Sequence, residues 1–363
     1  MSCTIDPISF RGRPAIAITN GVVELVVLTG GGHLAAFKMV EQGINVLWEP
    51  HWSTIEPSMR NLGIPGEFDD SLESKLLSSL LGHNLCLDVF GEQSQGESDA
   101  GLTFHGEAGM VTWEVDSAEV SSSSATLTLT AFLRQSALEV SRMITLKAGE
   151  ASLRVRESVR NLVGFERVYG CAEHATLGES FLKDSPALFA CNADKGITWP
   201  TGAELSTLSA NTEFDYPDLP LAAGGTTDWR SYPRAYEEGN LFTMRIRPGD
   251  SSGWFTAVQN RLKLGVYYVW EREAFPWLMT WEEAYNRKAL PWGQGELTRG
   301  MEFSSYPFAL SRRDNVAIGE LLGVPAFQWL DAHETRSTEF TMGLFPTDDD
   351  VTEAPPASEF CAL

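Results

Sequence analysis

The chain has 363 residues, 43% of them hydrophobic and 10% aromatic, and a formal charge of −22. That is enough apolar material for a large core, while the charge opposes nucleic acid or an anionic membrane as partner and leaves a neutral small molecule unaffected. Five cysteines with no CxxC spacing exclude a disulfide framework or zinc ribbon, and no apolar run is long enough for a signal peptide or a membrane span, so a soluble, cytoplasmic setting is expected.

In chain order, the pattern is one of short alternating or β-branched runs bounded by Gly, Pro, Asn or Ser, which is the rhythm of an all-β protein. Strands are expected over 22–28, 111–115, 125–132, 140–146, 152–159, 241–246, 254–259, 264–270 and 337–344. Gly30-Gly31-Gly32 follows the first of these. A hairpin pattern comes after it and not a helix, so it reads as a tight turn and not as a nucleotide loop. Short helices are expected near 71–81 and 312–321. Ser121 to Ser124 reads as a hairpin connection. From Pro346 the chain is acidic and Pro-bearing, a loosely held tail. With no mid-chain linker, residues 1–345 are expected to form one large antiparallel β-sandwich, and 346–363 the tail.

Candidate chemistry starts with three histidines in Gly-rich settings: His83 in LLGHNLCLDVFG, His105 in GLTFHGEAG and His174 in CAEHATLGESFL. Gly-bearing turns let backbone approach a ligand, although an isolated histidine is more simply a structural residue. With Glu173 or Glu107 the three could also hold a metal, but they show no HxH or HExxH spacing, and no metal is assigned. Glu302, flanked by Met301 and Phe303, is a carboxylate in an apolar strand, hence aimed at a cleft or a sheet edge. Glu282 and Glu283 alternate, so only one of them faces any cleft. Eleven Trp residues, several beside Gly, Pro or charge as in YVWEREAFPWLMTW and LPWGQG, suit stacking on sugar rings, although each alone is more simply a core anchor.

Taken in order, these segments resemble the aldose 1-epimerase, galactose mutarotase-like, superfamily along nearly the whole chain. GGGHLAAFKMVEQGINVLW is similar to its opening hairpins, LLGHNLCLDVFG to its GRxANRI segment, and TFHGEAG to its LHGG. EHATLGESFL is similar to NHxYFNL, RGMEFSSYPFA to the segment containing LETQ, and VPAFQWLDAHETRSTEFTM to the closing hairpin. The resemblance implies a supersandwich fold with Glu302 as catalytic base and His174 as catalytic acid. It further implies a sugar held by His105, His83, Asn84, Trp281 and Glu283, with no cofactor. Departures accompany it: His83 stands for an Arg, MEFSS for LETQ, and Met279 for a Gln. The implied reaction interconverts the anomers of an aldose. One group removes the C1 hydroxyl proton while the other protonates the ring oxygen. By analogy with paired acid/base spacing the two are expected to be about 5–7 Å apart, and the charge of Glu173 to favour the imidazolium of His174. The alternatives are a sugar-binding protein without turnover, or a glycoside hydrolase or lyase recruiting Glu283 or Tyr306 beside Glu302.

Overall fold

A computed structural model describes residues 2–62, 66, 68, 69, 71–201, 206–348 and 351–360; Cys361 lies outside them. Among the described residues two large antiparallel sheets dominate, of eleven and nine strands. The larger runs, edge to edge, Thr4–Phe10, Arg13–Thr19, Val23–Leu28, Leu34–Met39, His83–Leu87, Cys171–Leu177, Leu297–Ser304, Trp277–Ala284, Glu238–Ile246, Ala193–Thr198 and Glu213–Asp215. The smaller includes the long meander Ser124–Leu133, Leu138–Lys147 and Ser152–Asn161, then Thr335–Pro346 and Leu264–Glu271. The all-β class, with few short helices, is as expected.

The meander shows why these residues make strands. Leu138, Val140, Arg142, Ile144 and Leu146 are buried, and the residues between them are wholly or partly exposed, a period-2 pattern with one face on the core. The strands at the centre of the larger sheet differ. Every residue of His83–Leu87, Cys171–Leu177 and Leu297–Ser304 is buried, so these strands are covered on both faces. Their polar residues must therefore find partners on either side.

Several expected elements shift. The strand expected at 111–115 starts later, at Glu114–Val120, and the helices contract to Leu72–Leu77 and Arg312–Ile318. The second ends where Gly319 takes a φ of 70°, which a side-chain-bearing residue adopts only with strain. The acidic tail is docked on the outer face of the smaller sheet. Ala354 and Ala357 are buried there, and the Phe360 ring stacks on Phe345 at 3.8 Å. The Gly-rich turn holds Gly31 and Gly32 at φ of 86° and 62°, and a Cβ on Gly32 would lie 2.6 Å from Trp113.

Between the sheets lies a buried polar cluster. Arg142 and Glu157 are cross-strand partners of the smaller sheet and are ion-paired, and the Arg142 guanidinium also donates to the Gly32 carbonyl across the core. Glu173 of the larger sheet pairs with His83 at 2.8 Å, and its carboxyl meets that of Glu157 within 4.8 Å. One oxygen of each carboxyl has no other partner among the described residues, so a shared proton between them resolves the contact. Burial pushes the Glu157 carboxyl up to about 8 and also raises that of Glu173, against the pull of Arg142. A folded pKa above the unfolded one stabilises below the unfolded value, and that stabilisation is lost as pH rises through the folded value. Thermal melts from about pH 6 to about pH 9 should therefore show the wild-type midpoint falling as pH rises toward about 8 and levelling above it, with Glu157→Gln flattening that fall. A wild-type midpoint flat across this range would contradict the shared proton.

Candidate functional site

The outer face of the larger sheet carries one row of side chains set by register. Asn84, His174, Glu302 and Met279 are successive cross-strand partners on four adjacent strands and so lie side by side. Two residues further along, Trp281 stands opposite Gly300. A Cβ on Gly300 would lie 2.4 Å from the Glu302 carboxylate and 3.3 Å from Trp281, so the absence of a side chain there makes room for both.

Over this row sits a cavity of about 230 Å³, lined on its floor by His105, His174, Glu302, Met279 and Trp281. Its volume lies below the range of roughly 300–1,000 Å³ usual for drug-sized ligands, which suits one small molecule. Its wall comes from elsewhere in the sequence. Leu76, Leu77 and Leu80 pack with Trp48, Trp52 and Trp292, and the Trp48 and Trp292 rings stack at 6.1 Å. Trp48 is fixed from behind, its indole N–H donating to Glu296 at 2.6 Å. Arg287 lies over the Trp292 ring at 4.7 Å and pairs with Glu73 at the mouth.

His174 Nε2 and Glu302 Oε1 are 3.2 Å apart, but not aligned as a hydrogen bond; His174 Nδ1 lies 3.0 Å from the Thr176 hydroxyl. Both side chains are almost wholly buried. Burial lowers the His174 imidazole to about 3 and lifts the Glu302 carboxyl well above the carboxylate range, so each favours its neutral form. Burial thus biases the pair toward a protonated carboxyl beside a neutral imidazole. His105 completes the group, its ring edge-on to His174 at 5.2 Å. The Gly91 N–H donates to its Nδ1 at 3.0 Å, which leaves Nε2 as the protonated nitrogen, and burial keeps the ring neutral. His105 holds a φ of 60°, a left-handed conformation uncommon outside Gly and Asn.

Several expected positions differ from what the sequence suggested. The expected acid–base pair, His174 and Glu302, is in contact and not 5–7 Å apart, because cross-strand neighbours on one face have no room between them. Glu173 alternates with His174 and points into the core with His83, so it does not charge His174. His83 therefore lies away from the cavity, and the three histidines do not converge. Glu107 is spent on the backbone of Gln135 and Ser136. Asn84 lies beside His174, buried, with its carbonyl oxygen unpaired among the described residues, but it does not line the cavity. Glu283 shares the outer face yet accepts from the backbone N–H groups of Asn286 and Arg287 at 2.6 and 2.9 Å, shaping the loop that carries Arg287. Glu282 faces the core between Arg299, at 2.9 Å, and Arg234. Tyr306 is buried below the row with Cys86 and Met279. Phe104, Trp199, Arg287, Trp292 and the leucines line the cavity without having been singled out as contacts; of these only Trp292, in LPWGQG, had a local signal.

No protein-family model and no curated protein sequence matches the chain. Solved structures do. A candidate aldose 1-epimerase from Klebsiella pneumoniae superposes with a TM-score of 0.65 at 15% identity, covering 93% of this chain and 80% of that one. A galactose mutarotase-like protein from Clostridium acetobutylicum gives 0.63 at 12%, covering 95% and 99%. A candidate aldose 1-epimerase from Escherichia coli gives 0.58 at 14%, also covering 95% and 99%. The chain has the galactose mutarotase-like sandwich fold, far removed in sequence from these neighbours.

If the tryptophan wall is the packed unit described, Trp292→Ala should lower stability by about 3–5 kcal/mol in urea unfolding. A loss under about 1 kcal/mol would mean the ring is not part of a packed wall.

Proposed function

We propose that this chain is an aldose 1-epimerase-like isomerase that interconverts the anomers of a neutral sugar, with His174 and Glu302 as its acid–base pair. The observation that carries the reading is the contact of these two groups on the floor of an aromatic-walled cavity. Opening a hemiacetal requires a proton to leave the C1 hydroxyl and another to reach the ring oxygen. Both oxygens are bonded to C1, so two groups standing side by side can serve them from one direction.

Before a sugar reacts the proton belongs to Glu302, and neutral His174 is the acceptor, the reverse of the allocation implied by resemblance. His174 takes the hydroxyl proton as Glu302 protonates the ring oxygen, and the C1–O5 bond opens to the aldehyde. After rotation about C1–C2 the carboxylate recovers its proton and the imidazolium returns its own, giving the other anomer. Atoms and charge balance within the pair, and neither a metal nor an organic cofactor enters. His105, an N–H donor at Nε2, is placed to hold a hydroxyl near C1. Trp281 offers a ring face beside the same atoms.

The −22 charge favours a neutral sugar over a phosphorylated one. Among the polar groups at the mouth, the one cation, Arg287, is paired with Glu73 and lies 3.5 Å from Glu283.

Wild-type protein should speed the approach of a fresh aldose to its anomeric equilibrium in polarimetry, and Glu302→Gln should lower that rate by about 10²–10⁴-fold with the fold intact. A variant as active as wild type would remove Glu302 from the mechanism. The depressed imidazole sets the pH profile as well. The active form carries one proton on the pair, so kcat/KM should stay level from neutral pH down to about pH 5, where an ordinary histidine near 6.5 would already be charged. An acid limb centred near that ordinary value would contradict the neutral imidazole.

A further inference from the structure

The distribution of polar groups in the cavity bears on which sugar it takes. Its donors and acceptors are gathered at two places. His105, His174 and Glu302 occupy one part of the floor, and Glu73, Glu92 and Arg287 stand at the mouth. Between them the lining is Leu77, Leu80, Trp199, Leu241, Met279 and Leu310, which offer a hydroxyl nothing beyond the Trp199 indole N–H and the weakly accepting Met279 thioether. Arg287 does little to change this, since its guanidinium is committed to Glu73 and stacked on Trp292. A fully hydroxylated hexose bound with C1 over the pair would satisfy the hydroxyl next to C1 at His105. Its C6 hydroxyl, borne next to the carbon that is bonded to the ring oxygen and so on the Glu302 side of the row, would press against Met279 and the leucines.

We propose that the cavity selects 6-deoxy aldoses, sugars that carry a methyl in place of the hydroxymethyl group beside the ring oxygen; this rests on the acid–base reading of His174 and Glu302 given above. A methyl gains from the apolar wall, whereas a hydroxyl there loses its water partners and finds little in their place. A hydrophobic pocket rejects an added hydroxyl by up to about 100-fold, which sets the scale of the effect. Met279 is the residue best placed to enforce it. It is the register neighbour of Glu302, is fully buried and lines the cavity, so a polar side chain at this position would supply a partner beside the reacting atoms.

The test uses matched pairs differing at one carbon: D-fucose against D-galactose, 6-deoxy-D-glucose against D-glucose, and L-rhamnose against L-mannose. Anomer exchange measured by NMR should give the 6-deoxy member of at least one pair a kcat/KM about 10–100-fold above its partner. 2-Deoxy-D-glucose should gain nothing over D-glucose, because the hydroxyl it lacks is the one His105 serves. Met279→Gln should narrow the 6-deoxy preference at least several-fold. Equal rates within every pair, or a preference for the fully hydroxylated sugar, would overturn the selectivity and leave the acid–base reading intact. If no aldose is accelerated, the acid–base reading fails, and calorimetric binding of the same pairs decides the rest. Tighter binding of the 6-deoxy member by the same factor would keep the assignment of the pocket, and equal or absent binding would overturn it.

Discussion

The contact of His174 with Glu302 is the constraint on which the rest of this site depends. Two ionisable groups placed side by side on adjacent strands, and covered by tryptophan and leucine, are each pushed by burial away from their charged forms. Burial alone would make each neutral, and a neutral carboxylic acid next to a neutral imidazole is a donor and an acceptor ready for use. The sheet supplies the geometry, because the register that pairs the two strands also pairs the two residues. Gly300, two residues from Glu302, leaves the space in which the carboxyl and the Trp281 ring meet.

The same strands carry a second set of polar residues on their inner face, and there alternation separates function from support. Glu173 and Glu282 are the inward neighbours of outward His174 and Glu283, and each is held by partners in the core. Arg299 is enclosed by Phe189, Trp229 and Tyr232 while pairing with Glu282, which keeps a buried cation both paired and packed. Truncating one partner in such a cluster would leave the other charge stranded, so these residues support the sheet that presents the site.

The sequence carried the fold class clearly and the site partly, and the difference is physical. The meander strands read well because one face is solvated, so Leu138, Val140, Ile144 and Leu146 alternate with polar neighbours. The site strands read poorly because both faces are buried and both carry polar groups, so CAEHATL has no alternation to detect. Glu302 was legible as a carboxylate out of place among apolar neighbours, and it lies on the floor of the cavity. His83 had an equally suggestive Gly-bearing setting but faces the core, since one residue of offset reverses a side chain. The leucine wall, from residues 76–80, was not legible. What brings it to the cavity is packing on Trp48, Trp52 and Trp292, which are distant in sequence.

The state of the His174 imidazole is the most direct test of this account. Nitrogen-15 NMR of histidine-labelled protein, with His174→Gln to assign the signal, should show a neutral ring from about pH 8 down to about pH 5, because burial holds its pKa far below the ordinary value. An imidazolium signal already formed at neutral pH, or a titration near 6.5, would show that the imidazole is not held neutral beside the carboxyl, and the mechanism built on a carboxylic acid beside a neutral imidazole would fall.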